Sequence, residues 1–358
     1  MKKSLLISLS AALLGIGIVS LPIHASDPHK TLLITMTNDP VANAIIVIDA
    51  VTHQQLQTVS TNGKGGVGDN AGGIGQYNDR LLAAVNNGSG TVALFQRAGD
   101  HLALEQVVTT TSAPVSVTFA NRHMYVAGTT SVDSFVLNGN HVGYHDGTTT
   151  LILAGGGLPV IGNTSQIQAA DAHTLLVTLK TDPIPGTVDV IHLEDGAIRG
   201  DATPVSAPAG TLAPFGFSVY PDGTALITLA HSGHNALFRD GDFRSLATSA
   251  DQAGNCWTTR VGKYVFVVNT GSRTITRVVG TGNNVFTDNA VAATVPTGSP
   301  TDVDARGGYL AVIDHQGGTK PTSHLTVFTY NRFGELSASG DTIDLGVPAP
   351  NGMAVMEN

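Results

Sequence analysis

Tyr264-Val265-Phe266-Val267-Val268-Asn269-Thr270-Gly271-Ser272-Arg273-Thr274-Ile275-Thr276 reads as a strand, a tight polar turn and the start of a second strand. Its first half is rich in β-branched and aromatic residues, which suit a pleated surface, and its centre holds the Asn, Gly and Ser that favour a reversal. Versions of this phrase recur at 32–36, 81–86, 123–127, 175–179, 225–229 and 309–314. Seven copies at intervals of roughly 40 to 50 residues are the signature of β-propeller blades. Turn pairs such as Asn78-Asp79, Asp195-Gly196, Asp222-Gly223 and Gly307-Gly308 separate the strand runs, as in an antiparallel meander. The expectation is an all-β, seven-bladed β-propeller of four-stranded antiparallel blades.

The two ends of the chain complete each other in this reading. Residues 351–358 look like a first strand with no second strand after it, while the chain opens its first repeat directly with a second strand at Leu32. Joining them ties the ring shut and protects the edges that an open ring would expose. Lys2 and Lys3, the uncharged apolar run 5–21 and Ile23-His24-Ala25 before Ser26 read as a secretory signal peptide. The expected organisation is a signal peptide at 1–25 and one propeller domain at 26–358, in a periplasmic or secreted protein that is soluble after cleavage.

Cys256 is the only cysteine, so no intramolecular disulfide exists and stability must come from packing; Cys256 itself is expected between blades. Removing Lys2 and Lys3 leaves 16 basic against 27 acidic side chains and no basic cluster. Nucleic acid and anionic lipid are therefore unsuitable partners. The 42 glycines and the low share of charged residues, 13%, fit short buried strands joined by tight turns.

Aligning the first strands places Ile74, Val117, Ile167, Phe217, Val303 and Met353 in one apolar column, with Thr258 as the polar exception. Side chains alternate along a strand, so the neighbours of that column share the other face. They form two rings: Gly73, Ser116, Gln166, Gly216, Trp257, Asp302 and Gly352, then Gly75, Thr118, Gln168, Ser218, Thr259, Asp304 and Ala354. A channel with an acidic side, an amide side and the only tryptophan beside its mouth is expected. The loops after the second strands, carrying Asn38, Asn86, Lys180, Asp182, His231, His234, Asn269, Arg273, Asp314 and His315, fall on the face where the first strands begin. That face is the expected functional surface, because rigid scaffolds carry their sites on loops.

Several chemistries were weighed against these residues. His231 and His234 are close enough to share a metal but lack the third and fourth ligands of a zinc site. Calcium on Asp302, Asp304 and Asn255 is chemically sensible, yet no spacing fixes its geometry, and no cofactor is expected. No Gly-x-Ser-x-Gly elbow is present. Acid–base chemistry would fall to His231 or Asp302, with Lys180 or Arg273 as an anion clamp. Gln166, Trp257, Asp304, Asn86, Asp314 and His315 are the expected ligand-binding residues.

The repeat, together with Gly72-Gly73-Ile74-Gly75, Ser112-Ala113-Pro114-Val115-Ser116-Val117, Pro214-Phe215-Gly216-Phe217 and Asn255-Cys256-Trp257, resembles the seven-bladed lactonase-type propellers. That family includes 6-phosphogluconolactonase, the fungal carboxymuconate cyclase and exported relatives with YVTN-type repeats. The resemblance implies ring opening or closure assisted by a histidine, an arginine and a glutamate around the channel mouth. The matching stretches here are Thr164-Ser165-Gln166, Pro214-Phe215-Gly216 and Ala230-His231, so that trio is not retained. What remains expected is a monomer acting on a small lactone or sugar-derived ring compound. The alternative is a non-catalytic propeller that presents the same face to an envelope protein or a glycan, with Trp257 as its exposed anchor.

Overall fold

The computed structural model describes residues 30–181, 185–317 and 321–357. Segment 1–25, expected to be a signal peptide, and Asp182 lie outside the described residues. Seven antiparallel sheets are present, and the only helical pieces among the described residues are two single 3₁₀ turns, Asn87–Ser89 and Ala230–Ser232. Blades 2 to 7 begin with innermost strands Ile74–Tyr77, Pro114–Ala120, Thr164–Ala169, Pro214–Val219, Asn255–Val261 and Ser299–Arg306. These strands contact one another in sequence, and the cycle is completed by Asn351–Met356, so the sheets form a closed ring.

Blade 1 is built from both ends of the chain, as expected. Its order is Asn351–Met356, Leu32–Met36, Ala44–Asp49 and Gln55–Ser60 from the channel outward. Leu32 pairs with Met356, Leu33 with Val355, Ile34 with Ala354 and Thr35 with Met353. Every residue of the closing strand is buried.

The period-2 reading also holds in the packing. Ile74, Val117, Ile167, Phe217, Val303 and Met353 are all at most 5% exposed and join the apolar clusters between blades. Thr258, the exception, instead shares a 2.9 Å hydrogen bond with Ser218 of the preceding blade. The first and second strands turn on one face, called here the hairpin face. Asn78 and Asp79 both have positive φ there (52° and 55°), as do Gly307 and Gly308 (61° and 85°), the requirement of a two-residue hairpin whose twist matches its strands.

At the opposite, entry face a device appears that periodicity did not announce. Most innermost strands carry a bulge within their first residues, between Pro114 and Ser116, Thr164 and Gln166, Pro214 and Phe217, Asn255 and Trp257, and Pro300 and Asp302. A bulge leaves a residue out of the ladder, so its backbone groups need other partners. The Phe215 carbonyl accepts from Thr178 Oγ1 at 2.5 Å, and the Cys256 carbonyl from Thr228 Oγ1 at 2.8 Å. Thr178 and Thr228 each sit on the second strand of the preceding blade and so stitch neighbouring wedges together.

The strands leading into blades 3 and 4 are held by buried carboxylates. Asp133 Oδ2 accepts the Thr111 N–H at 2.7 Å, and Asp189 Oδ2 accepts the Ile152 N–H at 2.8 Å. Burial pushes the Asp189 carboxyl up to about 7, against the pull of the Ile152 N–H.

Two outcomes follow from this architecture. A chain ending at Pro350 loses the closing strand and is expected to yield no soluble protein; a soluble truncation with an unchanged melting temperature would refute the closure. For Asp189, the folded pKa lies above the unfolded one, so the stabilising protonation is present below pH 4 and is lost as pH rises towards 7. Asp189→Asn should therefore match the wild type near pH 4 and exceed its stability above pH 7 by on the order of 2 kcal/mol in urea titrations.

Candidate functional site: a capped channel open at the hairpin face

The connection between blades 1 and 2, loop 61–73, does not run around the outside of the ring. It crosses the entry end of the channel and is fixed along its length. Thr61 Oγ1 donates to Asn86 Oδ1 at 2.7 Å, Asn38 Nδ2 donates to the Val67 carbonyl at 2.8 Å, and the Gly88 N–H donates to the Gly65 carbonyl at 2.9 Å. At the centre sits Asn70, which is fully buried. Its Nδ2 donates to the Val115 carbonyl at 2.6 Å, its Oδ1 accepts from Asn351 Nδ2 at 2.7 Å, and its carbonyl accepts from Trp257 Nε1 at 2.7 Å. Ala71 N–H donates to the Ser165 carbonyl, and Lys180 Nζ donates to the Asp69 carbonyl. Blades 1, 3, 4 and 6 thus meet on three consecutive residues of the loop, 69–71. Gly73 is needed for this approach, since a Cβ there would lie 2.4 Å from Asn351 Oδ1.

Five of the expected site residues are absorbed by this cap or by contacts within and between blades. Trp257 is 5% exposed and packs edge-on against Phe215, so it is not an exposed aromatic at a mouth. Asn86 is fully buried beneath the start of the loop. Lys180 lies 5.1 Å above the Phe215 ring, and burial lowers its pKa to about 8. Gln166 clasps the next blade, donating to the Phe217 carbonyl at 2.9 Å and accepting the Phe217 N–H at 2.7 Å. Asp314 is buried and accepts from Thr297 Oγ1 at 2.5 Å, with His324 Nδ1 3.2 Å away. His231, Arg273 and His315 are exposed, and none of them lines the channel cavity. Cys256 is half-buried, and burial pushes its thiol up to about 11.

The other end of the channel is open. Exposure rises along the inner strands toward the hairpin face: Ser116 is buried and Thr118 half-buried, and likewise Asp302 and Asp304. The resulting cavity has a volume of about 350 Å³. Its polar wall is formed by Gln76, Thr118, Gln168, Ser218, Thr259 and Asp304, with Asp302 deeper in. The open end of the channel is therefore the face opposite to the one that the loop residues mark, because a loop with no strand periodicity of its own closes the other.

Asp302 and Asp304 lie on the same side of one strand, two residues apart. Asp302 is 5% exposed; its Oδ1 accepts the Val303 N–H at 2.8 Å, while Oδ2 has no partner of hydrogen-bonding geometry among the described residues. Burial holds its carboxyl well above the usual carboxylate range, and the nearby Asp304 charge adds to this. Asp304 is also raised by burial, but more donors oppose the effect: Val355 N–H and Ala305 N–H at 2.8 Å each, and Thr259 Oγ1 at 3.4 Å. Arg260 is the only basic side chain on the wall, and it is occupied with the Val219 and Gly262 carbonyls at 2.8 and 2.6 Å.

Among the described residues, no three His, Cys, Asp or Glu side chains are arranged to hold a metal ion. Asn255, considered with the aspartates for calcium, turns its Nδ2 to the His234 carbonyl at 2.7 Å.

No family model matches the chain, and no curated protein matches it. Solved structures do. A candidate 6-phosphogluconolactonase from Bacteroides uniformis superposes with a TM-score of 0.67 at 16% identity, covering 91% of this chain and 99% of that one. A second candidate 6-phosphogluconolactonase, from Bacteroides fragilis, gives 0.65 at 14% over 92% and 99%. The periplasmic gluconolactonase of Pseudomonas aeruginosa gives 0.64 at 14% over 92% and 99%. At such identities the likeness is one of fold, a propeller shared with these structures over nine-tenths of the chain.

The cap makes a direct prediction. Asn70→Ala strands the Asn351 amide and the Val115 carbonyl and should cost about 2–4 kcal/mol in urea unfolding, since each buried group left unpaired costs about 1–3 kcal/mol. Because Trp257 is the only tryptophan, its emission should shift to the red in the same variant. Unchanged stability together with unchanged emission would show that the loop does not seal the channel.

Proposed function

We propose that this chain is a lactonase-type propeller that hydrolyses a small, neutral, hydroxyl-rich cyclic ester in the cavity at its hairpin face. The observation that carries the reading is the Asp302–Asp304 pair, two carboxyls with raised pKa values on the wall of an otherwise hydroxyl- and amide-lined cavity. A volume of about 350 Å³ falls within the range that accepts a small ligand, roughly 300–1,000 Å³. Hydroxyls and amides suit a sugar-derived ring, and the wall offers no free cation to clamp a phosphate.

The two acids divide the work by environment. Asp304, held by more donors, ionises first and serves as the general base, taking a proton from water as that water attacks the lactone carbonyl carbon. Asp302, the more strongly raised acid, keeps its proton and gives it to the ring oxygen as the C–O bond breaks. The products are a free hydroxyl and a carboxylic acid. The pair interacts, so its pH dependence belongs to both groups together.

Export belongs to the same reading, supported by Lys2, Lys3 and the apolar run 5–21. No helix among the described residues is long and apolar enough to cross a membrane. The burial of Trp257 removes the feature that favoured a partner-docking propeller.

A panel of neutral and phosphorylated sugar lactones in a pH-stat tests the proposal. Neutral lactones are expected to turn over and phosphorylated ones to be poor substrates, with kcat/KM rising with pH through a midpoint above the ordinary aspartate value. Asp304→Asn should lower kcat/KM by about 10²- to 10⁴-fold, the usual worth of a general base, with little change in melting temperature. Absence of turnover of every neutral lactone, or an Asp304→Asn variant as active as wild type, would overturn it.

A further inference from the structure

A second concavity opens on the hairpin face, between the inner hairpin of blade 6 and the outer turn of blade 7. It measures about 370 Å³ and is lined by Lys263, Tyr264, Tyr330, Asn331 and Arg332, with the backbone of Val261 and Gly262 as its inner end. Arg260, one residue before that inner end, stands on the wall of the channel cavity, so the two concavities share a single hairpin.

The charge of this groove departs from the rest of the molecule. The chain carries a net charge of −9, and nearby cations are already engaged: Arg277 with Asp288, and Arg306 with Asp79 and Glu357. Lys263 and Arg332 are exposed, and no carboxylate pairs with either among the described residues. Their contacts are with rings, Lys263 Nζ 5.0 Å from the Tyr264 centroid and the Arg332 guanidinium 4.6 Å from that of Phe333. Nearby acids are engaged elsewhere: Glu335 accepts from the Asn331 amide at 2.6 Å, Asp288 pairs with Arg277 and Glu357 with Arg306.

We infer that this groove is a binding subsite for a cyclic sugar acid, a uronate ring free or within a short oligosaccharide. The Tyr264 ring is already covered by Lys263 and by the Arg277 guanidinium at 4.8 Å, so the phenol offered to the flat C–H face of a pyranose is Tyr330, and a ring carboxylate suits a guanidinium fork joined by an ammonium. Two cations match one carboxylate. An extended polyanion would meet the acidic remainder of the surface and be repelled, which excludes nucleic acid as the occupant. The inference does not depend on hydrolysis in the channel: a catalytically inactive protein with this groove would bind the same ligand.

The test is isothermal titration of the full-length protein with trigalacturonate and glucuronate against maltotriose and glucose. Acidic saccharides should bind, neutral ones should not at the same concentrations, and added NaCl should weaken binding. Lys263→Ala/Arg332→Ala should weaken it roughly five- to tenfold, as the loss of two exposed ionic contacts implies. Lys263→Glu/Arg332→Glu should abolish it. Both variants change exposed side chains and should keep the wild-type melting temperature and any lactone turnover. A saturating acidic saccharide should also protect Lys263 from amine acylation, with Lys30 as the internal reference. Equal binding of neutral and acidic sugars, no binding by the wild type, or a charge-reversed variant that binds like the wild type would each overturn the assignment.

Discussion

The pairing of Asn351–Met356 with Leu32–Met36 is the constraint on which the ring depends. Seven wedges stacked face to face leave two unpaired strand edges and two bare apolar faces unless first and last are joined. Main-chain hydrogen bonds between the ends of the chain remove both liabilities at once. The closing strand does more than complete a sheet, because Asn351 also donates to Asn70 at the centre of the cap. The cap can therefore reach its final position only in a ring that has closed, and the blades that hold Asn70 gain their shared partner at the same step. Closure of the sheet and sealing of the entry face are one cooperative event.

That coupling gives the molecule its polarity. A propeller channel is open at both ends by default, and here one end is filled by a loop whose polar groups are satisfied by backbone and side-chain groups of blades 1, 2, 3, 4 and 6. The channel cavity then opens to solvent at the hairpin face, past Gln76, Thr118 and Gln168. A dead-end cavity desolvates the groups at its base more strongly than a through-channel would, and Asp302 and Asp304 line this one. Their raised pKa values follow from burial first, with mutual repulsion as a second contribution at Asp302.

The sequence discloses whatever is local and periodic. The blade count, the apolar column from Ile74 to Met353, the two-residue hairpin at Asn78-Asp79 and the shared blade all rest on alternation, turn chemistry or repeat spacing, and all appear in the structure. The path of loop 61–73 has no such basis. Its residues are held by contacts up to 281 positions away, as between Asn70 and Asn351, and no period predicts them. Trp257 shows the consequence: alternation placed it correctly in the ring with Asp302, but whether that ring meets solvent depends on what lies above it. Lys180, Asn86 and Gln166 are polar at loop or channel positions, which in sequence alone is indistinguishable from availability, yet each is occupied by a backbone partner. The groove of Lys263 and Arg332 was missed for the same reason. Its halves are turns of different blades, and one of them adjoins the very phrase, beginning at Tyr264, that announced the fold.

A distinction between structural and available polar groups follows from comparing members of one ring. Gln166 and Asp302 occupy the same position in blades 4 and 7. Both amide atoms of Gln166 are used on Phe217, a geometry that stiffens the ring and leaves nothing to offer a ligand. Asp302 spends one oxygen on the Val303 N–H, and its other oxygen, which faces only the Met353 N–H, makes no hydrogen bond of full geometry. A leucine there would bury no such atom, so stability alone gives no reason for an aspartate at this point of the wall. What the aspartate supplies, and a better-packed residue would not, is a protonatable oxygen held in a polar cavity with a single way in. Identity of position with difference in satisfaction is thus the physical signature that separates a group holding the ring together from one left free to act on what enters it.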